Sequence, residues 1–495
     1  MTRISWIAAI LFALTAGVYC FSAPVADNDL WGHLYFGRAI LAAGRLPAFN
    51  EYSFTAPDHP WINHEILAEC IFAATFDRLG APGLLTLKLL IGLATLFVMM
   101  KTALARKPSS LAWAVSLFAC ASLMAWGFLI RPQIFTFLGL ALLWDRIHAF
   151  ERERRWALLA SLPFLFAIWI NTHGGVVAGL GVFFIFAVAA LLSPDLSAER
   201  AHIMIIVVLS LLVLVLNPYG LTLPAFLLKD IARPRPISEW QPIALFDSSN
   251  ILFKSTLVVL TAGSYSIVRR RPWEILTVAL AAILALRHER HLPLFAILAA
   301  PLLAESLDRL GRQLREHAHL PELSSPSRVL VAAGLVAIAT FEIARVRAIY
   351  DGLGFQIFVS PDQFPVDAVR FIDRNRVSGN LLVPFDWGEY AIWHLYPDCR
   401  VSVDGRYTTA YPDDVLAQSR LFELGATGWE AALVHADLAL LDRRQPIVKR
   451  MFTEHDWQYV YSDQTALLFV RKQIAESRKF VREPRTEPQD AFFFP

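Results

Sequence analysis

This sequence predicts a polytopic α-helical membrane protein with a small α/β domain outside the bilayer, on three observations. The first is bulk composition: of 495 residues, 56% are hydrophobic and only 18% are charged, and the mean hydropathy is +0.47. Soluble domains run to about 45–50% apolar and about 25% charged. The second is recurrence. Apolar stretches approaching the roughly 20 residues that a helix needs to cross a bilayer follow one another to about residue 350. The third is a change beyond that point to short apolar strands separated by helical stretches. A net charge of +2 argues against nucleic-acid binding through bulk charge. Cys20, Cys70, Cys120 and Cys399 have neither CxxC nor metal-ligand spacing, so no disulfide framework or zinc site is indicated.

In chain order, the opening run "MTRISWIAAILFALTAGVYCFSAP" has signal-peptide features, but the many later spans favour an uncleaved first helix. Candidate spans, about 11 in all, centre near residues 13, 92, 120, 141, 163, 184, 209, 260, 280, 299 and 337. The stretch 64–80 is short and carries His64, Glu65, Glu69, Asp77 and Arg78, which reads as an amphipathic helix on the outer surface. Counting it as a span would invert every later loop. Without it, Arg3, Lys101, Arg106, Lys107, Arg146, the run 151–155, Arg269–Arg271, Arg309, Arg312 and Arg315 all fall inside, as cytoplasmic loops should. Loops 23–64, 171–175, 217–250 and 287–291 fall outside. The expectation is a multi-pass protein of the plasma (inner) membrane, with the N-terminus cytoplasmic and the C-terminal domain periplasmic or extracellular. Its expected parts are a transmembrane domain 1–350 with outer loop 23–82, an α/β domain 351–472, and a polar, loosely ordered tail 473–495.

The chemistry gathers on the outer side. Asp27 and Asp29 follow the first span directly, with His33 four residues on. A carboxylate there can act as a general base, two together can hold a divalent cation, and either can cap a helix. His64 and Glu65 open the surface helix, Arg131 ends the third span and His173 ends the fifth. Arg287, His288, Arg290 and His291 lie between the ninth and tenth. Ionisable groups near membrane depth need a partner, water or a job. Carboxylates facing arginines and histidines suit an anionic ligand approached by a base; the plainer reading is residues at a wet interface. In "NTHGG", Gly174 and Gly175 permit a tight turn, and His173 could contact phosphate or be structural. In "LNPYG", Pro218 and Gly220 end a span, and Asn217 caps freed carbonyls.

Several stretches together resemble a known superfamily: "DNDLWGHLYFGRAIL", "EYSFTAPDHPWINHEILAE", "RPQIFTFLGLAL", "WINTHGGVVAG" and "LNPYG". They are similar to motifs of GT-C membrane glycosyltransferases, in particular a protein-mannosyltransferase-like bacterial group, over nearly the whole chain. Two positions depart from that pattern: Gly32 and Ile66 stand where tryptophan is expected. The resemblance implies a GT-C-like fold and sugar transfer from a polyprenyl-phosphate-linked donor to a glycan, lipid or protein acceptor. It implies that an acid just after the first span activates the acceptor, Asp29 first and Asp27 second. In this reading Arg131, His173, Arg287, Arg290 and His291 meet the donor phosphate. His33, His64, Glu65, Trp387 and Tyr390 position the acceptor or the loop. No cofactor is firmly implied, although a divalent cation (Mg or Mn) is compatible with the acidic residues. Membrane lipids are partners; nucleic acid is not.

Residues 383–397, "VPFDWGEYAIWHLYP", also resemble the WWDYG signature of the oligosaccharyltransferase catalytic subunit, through Trp387, Gly388 and Tyr390, with an acid inserted at Glu389. The signature implies peptide recognition. The alternative is a strand-to-helix turn with Gly388 for close packing and aromatics buried against the membrane domain. In "VDGRY", Asp404 and Arg406 form an internal pair or face a cavity. Two rival functions remain open at this point: a transporter or flippase of lipid-linked saccharides, and a non-catalytic membrane scaffold whose outer domain binds a partner.

Overall fold

The computed structural model describes residues 3–230, 233, 238–264, 271–319, 321, 324–481 and 493–495. The chain forms two compact units: Met1–Ala23 with Leu85–Gly354, and Pro24–Leu84 with Phe355–Pro495.

The first unit is helical, and every anticipated span centre in it falls within a helix: Arg3–Phe21, the later part of Ile66–Leu104, Ser110–Met124, Gln133–Glu153, Leu162–Thr172, Val176–Leu192, Arg200–Leu212, Ile251–Ser264, Pro272–Arg287, Leu292–His317 and Ser325–Leu353. Among the described residues, six helical segments are long and apolar enough to cross a bilayer, and three shorter apolar ones accompany them. The chain is a multi-pass membrane protein. Local chemistry sets the helix ends. Ser109 and Ser324 accept hydrogen bonds from the amides of Ala112 and Ser327, and Gly354, at φ 64°, closes the last helix. Asn217 donates to the carbonyls of Leu214 (2.7 Å) and Gly220 (2.9 Å), as the "LNPYG" reading expects. Two buried acids of this unit, Asp145 and Glu274, are paired with cations. Lys101 meets Asp145 at 2.8 Å, and Glu274 takes both Arg106 and His148. Such pairing is what makes these groups tolerable within apolar surroundings.

The second unit holds a five-stranded sheet: β1 (Gly379–Leu382), β2 (Cys399–Val401), β3 (Leu438–Asp442), β4 (Trp457–Ser462) and β5 (Ala466–Arg471). The order is β2-β1-β3-β5-β4. β1 runs parallel to β2 and β3, and β5 antiparallel to β3 and β4. The short apolar strands expected beyond about residue 350 are the ones that build it. β3 and β5 are near-continuous apolar runs, as strands buried on both faces should be.

The first outer loop belongs to this unit and not, as the sequence suggested, to the spans. Tyr52 accepts from the amide of Val401 and Ile62 donates to Thr409. Ser53 bridges Val401 in parallel pairing and donates to the Ser402 carbonyl. Backbone hydrogen bonds of this kind leave no hydropathy signal. The helix Ile66–Leu104 is broken at Gly80 (φ 63°, ψ −160°), which separates the short charged stretch from the apolar one. The tail departs from its loosely ordered expectation at both described ends. Lys472–Glu476 is a helix, and Phe494 is buried with its ring against Trp31 and Phe76. Residues 482–492 lie outside the described residues.

Candidate active site

In the second unit, the helix Leu30–Ala43 carries the first acidic motif at its start. Asp27 and Asp29 have different jobs there. The Asp27 carboxylate accepts from the Asp29 amide at 3.1 Å, and the Asp27 carbonyl accepts from Leu30. Asp29 stands at the N-cap position but makes no side-chain cap bond. Its carboxylate instead lies over Gly405, where an added side-chain carbon would come within 2.4 Å of Oδ1. The Asp27 side chain therefore closes an Asx turn just ahead of the helix, and the Asp29 side chain is aimed elsewhere.

One turn along the helix, His33 is buried beside two acids. Its Nδ1 lies 3.5 Å from Glu69 and 3.8 Å from Glu65. His64 pairs with Glu65 at 3.6 Å, while Asn63 donates to Glu69 at 2.6 Å. Burial disfavours the imidazolium, but the Glu69 hydrogen bond and the charges of Glu65, Glu69 and Asp29 outweigh it and raise the His33 pKa above 6.5. Donor atoms of His33, Glu65 and Glu69 all lie within 4.8 Å of one another, a set able to hold a divalent cation. Glu69 was legible only as one acid of an amphipathic helix; its spacing from Glu65 (i, i+4) is the signal that places both on one face.

Beneath this layer sits a buried ion pair. Arg406 donates to Asp404 at 2.8 and 2.7 Å and to Asn50 at 2.6 Å, and Tyr411 donates to Asp404 at 2.5 Å. The guanidinium is boxed by Phe36, Tyr52 and Trp61 at 4.8, 5.1 and 4.6 Å. The internal-pair reading of "VDGRY" is the one observed. Trp387 and Tyr390 bury inside this unit, where the sequence set them against the spans. Trp387 donates to the Gln363 carbonyl at 2.7 Å, and Tyr390 packs on Trp31 at 4.8 Å and Phe364 at 5.7 Å. Gly388 fits the close-packing expectation, since a side chain there would strike the Val403 carbonyl at 2.1 Å.

Between these groups lies Glu389, which the sequence showed only as an inserted acid. It is 3% exposed. An added carbon at Gly32 would lie 2.1 Å from its Oε2, and one at Gly405 would lie 2.8 Å from its Oε1. Burial, then the charges of Asp29 and Asp404, push its pKa well above the carboxylate range, against a smaller opposing pull from Arg406.

In the helical unit, the basic candidates gather around Trp240. Arg290 stacks on its ring at 4.8 Å, and His288 and His291 contact it at 4.8 and 6.0 Å. The adjoining Glu239 pairs with Arg131 at 2.6 Å. Arg287 is exposed. His173 is held through Nδ1, which takes the Gly175 amide at 3.0 Å and meets Thr136 at 2.8 Å, so its neutral form carries the proton on Nε2.

No protein-family model matches the chain, and no curated protein does. Solved structures do. An archaeal oligosaccharyltransferase, AglB from Archaeoglobus fulgidus, in complex with an inhibitory peptide and a dolichol-phosphate, aligns with TM-score 0.53 at 12% identity over 88% of this chain and 69% of its own. ArnT from Cupriavidus metallidurans aligns in the apo state with TM-score 0.54 at 14% identity, over 94% of this chain and 96% of its own. Its undecaprenyl phosphate-bound form gives TM-score 0.51 at 15% identity, over 94% and 98%. The chain thus has the fold of these proteins.

Proposed function

We propose that this protein is a GT-C-type glycosyltransferase that moves a sugar from a polyprenyl-phosphate donor to a glycan, lipid or protein acceptor at the outer face of the membrane. The observation that carries the reading is Asp29. It is an acid placed just after the first membrane helix and not spent on capping, in a fold whose solved examples hold dolichol-phosphate and undecaprenyl phosphate. The Asp29 carboxylate takes the proton of an acceptor O–H or N–H as that atom attacks the anomeric carbon. The bond from that carbon to the phosphate oxygen breaks, the electron pair leaves with the polyprenyl phosphate, and the single displacement inverts the carbon. Arg290, Arg287, His291, His173 and Arg131 are assigned to the donor phosphate, where cations stabilise the leaving charge. His33, His64 and Glu65 shape the loop that presents Asp29. A cation held by His33, Glu65 and Glu69 would act on that same loop. The N-terminus is assigned to the cytoplasm and the strand-bearing unit to the outer side.

The test is transfer of radiolabelled sugar from a panel of polyprenyl-phosphate donors in membranes expressing wild type, Asp29→Asn or Asp27→Asn. A general base contributes about 10²–10⁴-fold, so a loss of that size confined to Asp29→Asn is expected. Equal transfer in all three would overturn the base assignment. No transfer from any donor would favour the transporter or scaffold readings.

A further inference from the structure

We propose that the half-buried rings of Tyr35, Trp393 and Tyr396, with the Glu51 carboxylate among them, form a saccharide-binding platform. The acceptor of the proposed transfer is then a glycan chain, held there by sugar units away from the reacting one. The role of acceptor rests on the transfer reading; the platform stands on geometry within the second unit alone. Tyr35 projects from the helix Leu30–Ala43, Trp393 lies on the helix Gly388–Leu395, and Tyr396 follows that helix directly. The Tyr35 ring lies 6.3 Å from Trp393 and 6.1 Å from Tyr396, at 75° and 83°, so both contacts are edge to face. All three rings are partly exposed. Buried rings back them: Tyr52 lies 5.6 Å from Tyr35 and 5.0 Å from Tyr396, and Phe494 lies 5.8 Å from Trp393. The rings are thus fixed before a ligand arrives, which lowers the ordering cost of binding.

A sugar ring offers C–H bonds on its faces and hydroxyl groups around its edge. It therefore needs aromatic surface and, beside it, groups that donate and accept hydrogen bonds. Both are present. The hydroxyls of Tyr35 and Tyr396 have no hydrogen-bond partner among the described residues, and each can donate and accept. Glu51 is exposed and exerts its charge on both phenols, which adds an acceptor for sugar hydroxyls. Over Trp393, the Arg38 guanidinium stacks at 4.8 Å and is held by Asp77 at 2.6 Å, which adds donors at the rim. A lipid surface is the rival occupant, because tyrosine and tryptophan also collect at membrane interfaces. The exposed carboxylates of Glu51 and Asp77 disfavour it, since anionic headgroups repel them. Tyr35 stands six residues beyond Asp29, about 9 Å of helix rise. The platform and the base are therefore placed for different units of one chain.

The experiment is saturation-transfer NMR on the full-length protein in lipid nanodiscs, without donor. The probes are short soluble oligosaccharides of glucose, mannose, galactose and N-acetylglucosamine. At least one should bind. Glu51→Gln should weaken its Kd about tenfold, the worth of one hydrogen bond to a charged group, and Trp393→Ala at least as much. If Trp393→Ala does not fold, as judged by thermal melting, Glu51→Gln and Tyr35→Phe decide. A Kd unchanged by these substitutions would overturn the platform. No binding by any oligosaccharide would also overturn it and leave the patch to the membrane interface. Binding without transfer in the labelled-sugar assay would remove the transfer reading and keep the platform; transfer without binding would do the reverse.

Discussion

At the scale of single residues, the two aspartates of the first loop are separated by what their side chains already do. Asp27 gives its carboxylate to the Asp29 amide, a bond that the side-chain oxygen of an asparagine in its place would reproduce. Asp27→Asn should therefore keep transfer within about tenfold, while Asp27→Ala should cost about 1 kcal/mol of stability, the net worth of one hydrogen bond. Thermal melting and the labelled-sugar assay read these separately, and an inactive but stable Asp27→Asn would reverse the assignment. His33 gives a pH prediction of definite sign. Its pKa is raised in the folded state, by Glu69 first among the favourable causes. The stabilisation is complete below about pH 6.5 and is lost as pH rises through the raised value. The difference in melting temperature between wild type and His33→Gln should thus shrink from pH 5.5 to pH 8.5; a difference that grows would refute the pairing.

At the scale of elements, the turn between β1 and the helix Gly388–Leu395 is pressed close against residues 403–404. Gly388 abuts the Val403 carbonyl and the Asp404 backbone. Gly388→Ala should push that segment off its neighbour and lower stability by about 1–3 kcal/mol, the usual cost of overpacking, measurable as a lower melting temperature. The Asp404–Arg406 pair just beyond is fully buried. Asp404→Asn would strand the guanidinium among Phe36, Tyr52 and Trp61, at a cost of about 3–5 kcal/mol. A near-neutral effect would mean that Asn50 and the aromatic box suffice to hold the cation.

Across the whole molecule, what the sequence made legible follows physical range. Helices that cross a membrane announce themselves by composition within one window, so every anticipated span centre lies in a helix. The five strands were equally visible, because alternation and apolar runs are local signals. The joining of loop 24–84 to residues 355–495 was not, since it depends on backbone pairing such as Val401 with Tyr52 and on side chains such as Asn50 reaching Ala410. The same holds for the site. Asp29 was visible as an acid after a span, but Glu389 became relevant only once Gly32 and Gly405 were seen to border it.

That joining has a consequence for biosynthesis. The loop Pro24–Leu84 leaves the ribosome early, and its partner segment begins only at Phe355, after Leu85–Gly354 has been made and inserted. Until then Trp31, Tyr52 and Trp61, all buried in the finished protein, lack much of the surface that covers them. The loop is a half-built module waiting through most of translation, and long-range contacts of this kind form slowly and expose apolar surface meanwhile. A nascent chain arrested before residue 355 should therefore be cut by protease within loop 24–84, at sites the completed chain protects.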